Sequence, residues 1–433
     1  MKTLQTIDKF KEQLFKSLDN SKNTFSHIGI QERLDKAFER LNNYSIPNKK
    51  HEDWKYSNIG KWVNSKYKVE RSNNDFDIES YKIPGLDANI LVFVNGFFRD
   101  DLSDVKHIQK GLIIQNFTES CDLFSSDINS HFAKYTEDNF FNDLNTLYHG
   151  NGLFLKVDDN TLAEHTVQIV NIQTGNGVIS QPRNLFLIGE NSELNIVETH
   201  VEVDASNCLT NQVSEFIIGK NSRLNYVLSQ SGKDNALIHT NRFVQHDHSR
   251  LVSNVFTLSK EFIRNNHIVS ISGIGTETEL NGTFMPKGDE QVDNHTLLDH
   301  QNVNGYSKEL YKGILFKDSN AIFNGKIFVN QKAQKTNAFL NNYNILLDDN
   351  AIMESKPELE IYADDVKCSH GSATGDIDSE ALFYLQSRGI GKDSARALLM
   401  HSFLGEVLEK VANENVREAI GNKINNRLSE INI

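Results

Sequence analysis

The stretch LFLIGENSELNIV at residues 185–197 is repeated, with substitutions, as EFIIGKNSRLNYV at residues 215–227. Identical residues recur 30 positions apart, since a glycine, two asparagines, a serine and a leucine occupy the same places in both stretches. A fixed period carried by β-type runs and asparagine-rich turns is typical of a solenoid, in which each coil buries its apolar face only by stacking on its neighbours. The repeat therefore predicts stacked β-coils.

The repeat continues beyond this pair. FKDSNAIF at 316–323 resembles LDDNAIM at 347–353 at the same offset, and SRLVSNV (249–255) and TELNGTF (278–284) fall between them at slightly shorter spacings. Asparagine suits such turns because it tolerates left-handed backbone and can hydrogen-bond to the asparagine of the next coil. We predict a parallel β-helix over residues 85–375. The alternative, a β-sandwich, gives no fixed self-match.

Helical patterns precede this core, in residues 1–84. Two sets of apolar residues recur at helical spacing, and Pro47 closes the second set. The sets are Leu4, Ile7, Phe10, Leu14 and Leu18, and then Ile30, Leu34, Phe38 and Leu41. The segment HEDWKYSNI (51–59) follows, and we expect Trp54 and Tyr56 to anchor this helical region onto the β-helix.

Helical patterns return in residues 376–433. SEALFYLQS stops at Gly389, a favourable C-cap position, and Asp393 is expected to cap the next helix. The apolar stripe of that helix is Ala397, Leu398, His401, Leu404, Leu408 and Val411. The last helix is NVREAIGNKINNRLSEI. We expect this helical set to cap the open edge of the β-helix, and any apolar stripe left over to bind a partner.

Composition excludes several classes of protein. The net charge of −13 disfavours a nucleic-acid binder, which needs a basic surface for phosphate contacts. The three cysteines, Cys121, Cys208 and Cys368, are too far apart for a disulfide framework and too few for a self-contained iron–sulfur cluster. The N-terminus has no signal-peptide pattern, and no run of about 18 apolar residues predicts a membrane span. We expect a cytoplasmic protein.

Cys368-Ser-His370 is the sharpest candidate for chemistry. On a strand, residues two apart face the same side, so a thiol and an imidazole would lie together as ligands for iron, zinc or copper. The alternative is a core cysteine beside an incidental surface histidine. His246-Asp-His248 has the same spacing, and there a solvent-facing pair is the simpler interpretation.

Two further patterns are weaker. Asp293, His295, Asp299 and His300 form a polar cluster that suits either a metal or a solvated turn. SRGIGKDSARAL (387–398) is similar to a phosphate-binding helical hairpin, although a plain helix–turn–helix connection explains its glycines as well. No nucleotide-binding loop, nucleophile elbow or dinucleotide fingerprint is present. A carbohydrate-active β-helix enzyme with convergent carboxylates stays open as the alternative function.

The stretch at 293–378 resembles the core of the SufB/SufD family of iron–sulfur cluster assembly proteins. Its signature is KPELEI at 356–361, ADDV at 363–366 and CSHG at 368–371. The resemblance covers roughly residues 280–411 and continues through FYLQSRGI, and HEDWKYSNI also fits it more weakly. Gly371 after the Cys-Ser-His motif resembles the SufD branch of the family.

The resemblance implies a right-handed parallel β-helix between two helical regions. It implies a non-catalytic scaffold that pairs with a SufB-type paralogue, or with itself when isolated, and a transient iron–sulfur cluster at the heterodimer interface. His370 would contribute there with Cys368 as its strand-mate, or both would shape the interface without touching iron. A SufC-type ABC ATPase would bind the C-terminal helices, for which we select Phe383, Leu385, Arg388, Leu398 and Phe403. A flavin is associated with such complexes, but the chain carries no flavin motif.

Overall fold

The computed structural model describes residues 11, 14–16, 30–136, 138–149 and 151–430. The predicted helix positions Leu4, Ile7, Phe10 and Leu18 lie outside those residues, whereas Leu14 is described and buried. The α-helices in the described part are α1 (Gln31–Asn43), α2 (Gly60–Val63), α3 (Phe117–Leu123), α4 (Ser125–His131), α5 (Phe140–Tyr148), α6 (Ser379–Ser387), α7 (Lys392–Leu408) and α8 (Glu414–Ser429).

Strands make up most of the rest. The strands in the described residues are β1 (Ala88–Val94), β2 (Phe97–Phe98), β3 (Leu112–Asn116), β4 (Leu153–Val157), β5 (Thr166–Asn176), β6 (Ile179–Ser180), β7 (Arg183–Ile188), β8 (Glu193–Ser206), β9 (Leu209–Ile218), β10 (Arg223–Gln230), β11 (Ala236–Gln245), β12 (Arg250–Thr257), β13 (Phe262–Ile271), β14 (Glu277–Phe284), β15 (Gln291–His300), β16 (Tyr306–Leu315), β17 (Asn320–Val329), β18 (Asn337–Leu346), β19 (Ile352–Ile361) and β20 (Lys367–Gly375).

The strands form two long sheets, and the chain alternates between them. The first sheet runs β2-β1-β5-β8-β10-β12-β14-β16-β18-β20, and the second runs β19-β17-β15-β13-β11-β9-β7-β4-β3. Neighbouring strands are parallel except for β1 with β2 and β3 with β4, where the solenoid begins. The result is a β-solenoid of about eight turns with flanking helices. The predicted parallel β-helix is confirmed.

The 30-residue repeat corresponds to the register of one coil on the next. Asn225 pairs with Asn195, and the amide of Asn225 donates to Asn195 Oδ1 at 2.9 Å. Asn221 donates to Asn191 Oδ1 at 3.0 Å in the same way. Asn191 and Asn221 adopt φ values of 54° and 56°, the left-handed region that asparagine tolerates. The turn conformation that asparagine favours and the hydrogen bonds between neighbouring coils therefore support the same arrangement of the chain.

The period is not constant along the solenoid. Asn281 hydrogen-bonds to Asn254, only 27 residues earlier. In the second predicted repeat, Asn320 pairs with Ile352 instead of Asn350. The turn before β19 is longer than the sequence match suggests, so the aligned letters there do not give the strand register.

Aromatic residues fill the space between the sheets. Phe216 lies between Phe186 and Phe243, with ring-centroid distances of 4.4 Å and 4.6 Å. All three rings are fully buried and come from the second sheet, one from each successive coil. Burying a phenylalanine side chain contributes about 1.5–3 kcal/mol, so this row is a principal source of coil stacking.

Helices α3, α4 and α5, between β3 and β4, were not predicted, and they interrupt the solenoid at its beginning. Helix α5 packs on α1, where Arg40 forms an ion pair with the buried Asp143 at 2.7 Å. Helix α1 ends at Asn43, before Pro47, and Phe38 is exposed instead of joining the apolar face. The N-terminal helices thus cover one side of the first coils.

The sequence predicted that the C-terminal helices cap the open edge of the solenoid, and this prediction is wrong. Helix α7 packs against β14 and β16 on the outer face of the first sheet. Its buried residues are Ala395, Met400, Leu404 and Val407, so His401 and Leu398 of the predicted stripe lie on the exposed side. Gly389 ends α6 with φ of 87°, as predicted, but Gly391 is the N-cap of α7 and Asp393 lies in its first turn.

Candidate assembly interface

The solenoid ends in an uncovered coil. We define the terminal coil as β19 and β20, which end the second and the first sheet respectively. In the described part of the chain no further strand pairs with the outer edge of either one. No residue of β19 or β20 is fully buried. An end strand of this kind presents a row of unpaired N–H and C=O groups, which is a template for pairing with another chain.

Cys368 and His370 lie on β20. They pair in register with Ala338 and Leu340, whose side chains belong to the solenoid core. The motif therefore continues an inward-facing row at the point where the core ends. Cys368 is half-buried against the core, whereas His370 is exposed because no coil follows. Both side chains are placed where a second solenoid stacked on the terminal coil would meet them.

The thiols of the chain are not poised as thiolates. Burial raises the pKa of Cys368 above its usual value, and it raises the pKa of Cys121 to about 12. The pKa of Cys208 is also raised by burial. A metal ion must therefore displace the Cys368 proton before sulfur can bind it. Cys121 and Cys208 are buried elsewhere, so Cys368 is the one cysteine of the chain at the terminal coil.

The surface of α6 and α7 exposes several apolar side chains. Phe383 is 73% exposed and Leu398 52% exposed, and α6 buries no residue. Arg388 is exposed, with its guanidinium 5.3 Å from the ring centre of Tyr384. Leu385 and Phe403, also selected from the sequence, are half-buried. We call the exposed group of Phe383, Tyr384 and Leu398 the apolar face.

Phe403 has a different place from the apolar face. Lys312 Nζ lies 4.6 Å above its ring, donates to the Phe403 carbonyl at 3.0 Å and forms an ion pair with Glu406 at 2.6 Å. Phe403 thus attaches α7 to the solenoid. The glycines of the 387–398 motif act as helix stop and restart, since Gly389 ends α6 and Gly391 begins α7.

The other predicted histidine patterns form no common site. His246 and His248 lie in the turn between β11 and β12 instead of on a strand, and His248 has φ of 56°. His300 is buried and contacts Ser307 Oγ at 2.9 Å. The adjacent Asp299 has different partners, since it accepts hydrogen bonds from Gln301 and Asn330.

Asp293 anchors the N-terminal region. The buried Asp293 forms ion pairs with Arg264 and His295, each at 2.8 Å, and accepts a hydrogen bond from Ser57. Burial alone would raise the pKa of Asp293, but Arg264 and His295 hold it at about 2. Trp54 covers Arg264, as predicted for an anchor, whereas Tyr56 is 43% exposed and only its carbonyl contributes, through Gln291.

Two groups of histidine and carboxylate side chains were not predicted from the sequence. Glu198, His200 and His239 converge inside the solenoid, and Asp87, His107 and His165 converge near the surface. Glu198 and His200 are two residues apart on one strand, the same spacing as Cys368 and His370, and this was the available signal. The third member comes from another coil, and no local pattern identifies it.

The architecture and the open terminal coil define a β-solenoid with a surface suited to pairing. The family model described as "SUF system FeS cluster assembly, SufBD core domain" matches residues 170–403, and that of the "SufBD protein N-terminal region" matches residues 5–169. The chain belongs to the SufBD family of iron–sulfur cluster assembly proteins. In the described residues, no helix is long and apolar enough to cross a membrane.

Curated relatives match most of the chain at low identity. An iron–sulfur cluster assembly SufBD family protein of Synechocystis is 27% identical over 87% of this chain and 86% of its own length. The iron–sulfur cluster assembly protein SufD of Escherichia coli is 27% identical over 88% of this chain and 89% of its own. The chloroplastic protein ABCI7 of Arabidopsis thaliana is 28% identical over 96% of this chain and 90% of its own.

Proposed function

We propose that this chain is a non-catalytic scaffold subunit of the SUF machinery, of the SufD type, which pairs with a SufB-type paralogue and binds a SufC-type ABC ATPase. The observation that carries the proposal is the uncovered terminal coil with Cys368 and His370 on it. Membership of the SufBD family and the relative named SufD support the same assignment.

Pairing uses the unpaired edges of β19 and β20. A second solenoid that adds its own end strands there satisfies the free backbone groups and extends both sheets across the interface. Side-chain contacts already hold the two end strands together, since Ser355 on β19 and Ser372 on β20 are linked by a hydrogen bond at 2.8 Å. The same edges would also allow two copies of this chain to pair when the paralogue is absent.

Cluster assembly then takes place at the junction, where the iron–sulfur cluster is cargo and not a resident group. His370 supplies an exposed imidazole, and Cys368 lies two residues before it on the same inward-facing row. Two ligands do not complete a cluster, so the paralogue provides the others. His370 is the ligand that needs no rearrangement, whereas Cys368 must give up its proton and its contacts with the core.

The ATPase docks on the apolar face. Phe383 and Leu398 lie on helices α6 and α7, and Arg388 beside them adds a positive charge at the rim. Large exposed apolar side chains with a charged rim are the anchors typical of protein interfaces. Phe403 and Lys312 connect α7 to the first sheet, so movement of a bound ATPase is transmitted into the solenoid.

Co-purification tests the proposal. The tagged chain is produced in its native host as wild type, Phe383→Asp and Leu123→Asp. Leu123 is 68% exposed on α3, away from the apolar face, and therefore controls for loss of an exposed apolar side chain. We expect wild type and Leu123→Asp to retain both an ABC ATPase and a SufB-type paralogue. Phe383→Asp should retain the paralogue and lose the ATPase.

Two outcomes contradict the proposal. Recovery of neither protein with the wild-type chain would remove the assembly role and favour an independent activity such as that of a carbohydrate-active β-helix. Equal recovery of the ATPase with Phe383→Asp and with wild type would remove the docking role of the apolar face.

A further inference from the structure

Three side chains inside the solenoid bring metal-binding atoms together. Glu198 and His200 lie on β8 of the first sheet, and His239 lies on β11 of the second. His200 Nε2 is 3.2 Å from Glu198 Oε1, and His239 Nε2 is 3.8 Å from the same oxygen. The ligand atoms of all three lie within 4.8 Å of one another. We call this group the interior cluster.

The interior cluster is buried, and among the described residues its carboxylate has histidine partners but no lysine or arginine partner. Glu198 is fully buried, and both histidines are at most 5% exposed. In the described part of the chain no lysine or arginine forms an ion pair with Glu198, whose other partners are the neutral side chains of Asn171, Gln212 and Tyr226. Removing a carboxylate from water without a counter-charge is costly. A bound divalent cation would supply that charge.

A fourth donor stands beside the cluster. Gln212 Nε2 lies 2.6 Å from Glu198 Oε1 and 3.3 Å from His239 Nε2. The amide oxygen of Gln212 is buried and forms no hydrogen bond with a described residue. Turning the amide over, which exchanges two groups of nearly equal size, brings this oxygen to the cluster as a ligand. Tyr226 donates to Glu198 Oε2 at 2.7 Å and so orients the carboxylate from behind.

The ring planes distinguish the interior cluster from the surface group of Asp87, His107 and His165. An imidazole nitrogen binds a metal in the plane of its ring, at about 2.1 Å. The rings of His200 and His239 are 5.3 Å apart and inclined by 87°, so they are not stacked and their Nε2 atoms both approach Glu198 Oε1. The rings of His107 and His165 are stacked 3.8 Å apart and inclined by only 18°, and such planes do not meet within bonding distance.

We propose that Glu198, His200 and His239 bind one divalent transition-metal ion inside the solenoid, with Gln212 as the fourth ligand. Two imidazoles and a carboxylate are the ligand set that Fe²⁺ and Zn²⁺ accept. The site lies several coils from the terminal coil, so it is distinct from the surface at which the proposed cluster assembly takes place. It does not depend on the proposed function and can be tested in the isolated chain.

Cobalt binding tests the site, because Co²⁺ replaces Fe²⁺ and Zn²⁺ and reports its coordination in the visible spectrum. The full chain carrying His107→Gln, which removes the surface group, serves as the parent. Since the site is buried, the parent is refolded from urea with Co²⁺ present and then freed of loose metal by gel filtration. The same procedure is applied to the parent carrying His239→Gln.

We expect the parent to retain one Co²⁺ per chain with the intense absorption of a low-symmetry site, and His239→Gln to bind at least about tenfold more weakly. X-ray absorption of the parent should show two imidazoles and oxygen around the metal, and this result stands even where the variant fails to refold. Retention of no Co²⁺ by the parent, sulfur ligation, or equal binding by His239→Gln would each overturn the proposal.

Discussion

The guanidinium of Arg264 lies 4.1 Å from the ring centre of Trp54, and the same group forms an ion pair with Asp293 at 2.8 Å. Trp54 belongs to the N-terminal segment, whereas Arg264 and Asp293 lie on neighbouring strands of the second sheet. One side chain therefore joins the N-terminal region to the solenoid and neutralises a buried carboxylate.

Replacing Arg264 with leucine should destabilise the chain severely. The substitution leaves Asp293 buried with only a histidine as its ionic partner, and breaking a buried pair costs about 3–5 kcal/mol. Arg250→Leu is the matched control, because Arg250 is 48% exposed and its ion pairs with Glu277 and Glu279 contribute under about 1 kcal/mol. Urea unfolding measures both, and equal losses in the two variants would refute the anchoring role.

The asparagine hydrogen bonds between successive coils predict which of two substitutions, glycine or alanine, destabilises the chain more at each position. Asn221→Gly keeps the left-handed backbone and loses one amide hydrogen bond, about 1 kcal/mol. Asn221→Ala also incurs the left-handed strain, a further 1–2 kcal/mol roughly. Asn225 makes the same ladder bond on a strand, where glycine is the worse replacement, so the order of the two variants should reverse there. Urea midpoints that follow the same order at both positions would show that the left-handed backbone at Asn221 does not decide the effect of the substitution.

Glu309 should make stability fall as pH rises. Burial raises the pKa of Glu309 from 4.5 to about 8, so the folded chain holds this proton more tightly than the unfolded chain does. Its contribution is complete below pH 4.5 and is lost as the pH approaches 8, with a slope of up to about 1.4 kcal/mol per pH unit.

Glu309→Gln removes this titration. We expect the difference in unfolding free energy between wild type and Glu309→Gln to shift in favour of the variant from pH 5 to pH 8. Glu277→Gln, at an exposed position, should track wild type throughout. Parallel pH curves for wild type and Glu309→Gln would show that the carboxyl is not protonated in the fold.

Cys368 should be the first of the three cysteines to react with an alkylating reagent. Cys121 and Cys208 are buried, whereas Cys368 is partly exposed. Iodoacetamide should therefore modify Cys368 in the native chain, slowly because burial raises its pKa, and leave the other two unmodified until urea is added. Peptide mass spectrometry locates the label. Prior labelling at Cys121 would show that the region around α3 opens more readily than the terminal coil.

The sequence repeat was sufficient to predict the coil, because the asparagine hydrogen bonds and the apolar strand residues act within one 30-residue unit and its neighbour. It was not sufficient where a turn changes length, as before β19, since the letters of the repeat align at Asn350 while the strand aligns at Ile352. Helices α3 and α4 escaped prediction because each has seven residues and leaves few turns in which a helical period can show, whereas α5 carries Phe140, Leu144 and Leu147 at helical spacing, a signal that was present in the sequence.

Candidate site residues could be grouped from the sequence only where they share a strand. The Cys368–His370 motif is local, and its neighbourhood follows from the strand period. The predicted buried side of α7 was rotated by part of a turn from the observed one. Contact with the first sheet decides that Met400 and Val407 are buried, and the composition of the helix does not show this. His239 joins Glu198 across the solenoid interior, a contact that only the three-dimensional arrangement of coils creates.

Hydrogen exchange of the terminal coil tests whether the chain pairs with a SufB-type paralogue through the edge of β20. The amides of β20 (Lys367–Gly375) are followed in the isolated chain and after addition of the SufB-type paralogue, with β12 (Arg250–Thr257) as an internal reference that is already paired on both sides. We expect exchange in β20 to slow at least about tenfold in the complex while exchange in β12 is unchanged. A stable complex in which β20 exchanges as fast as before would show that the chains pair through another surface.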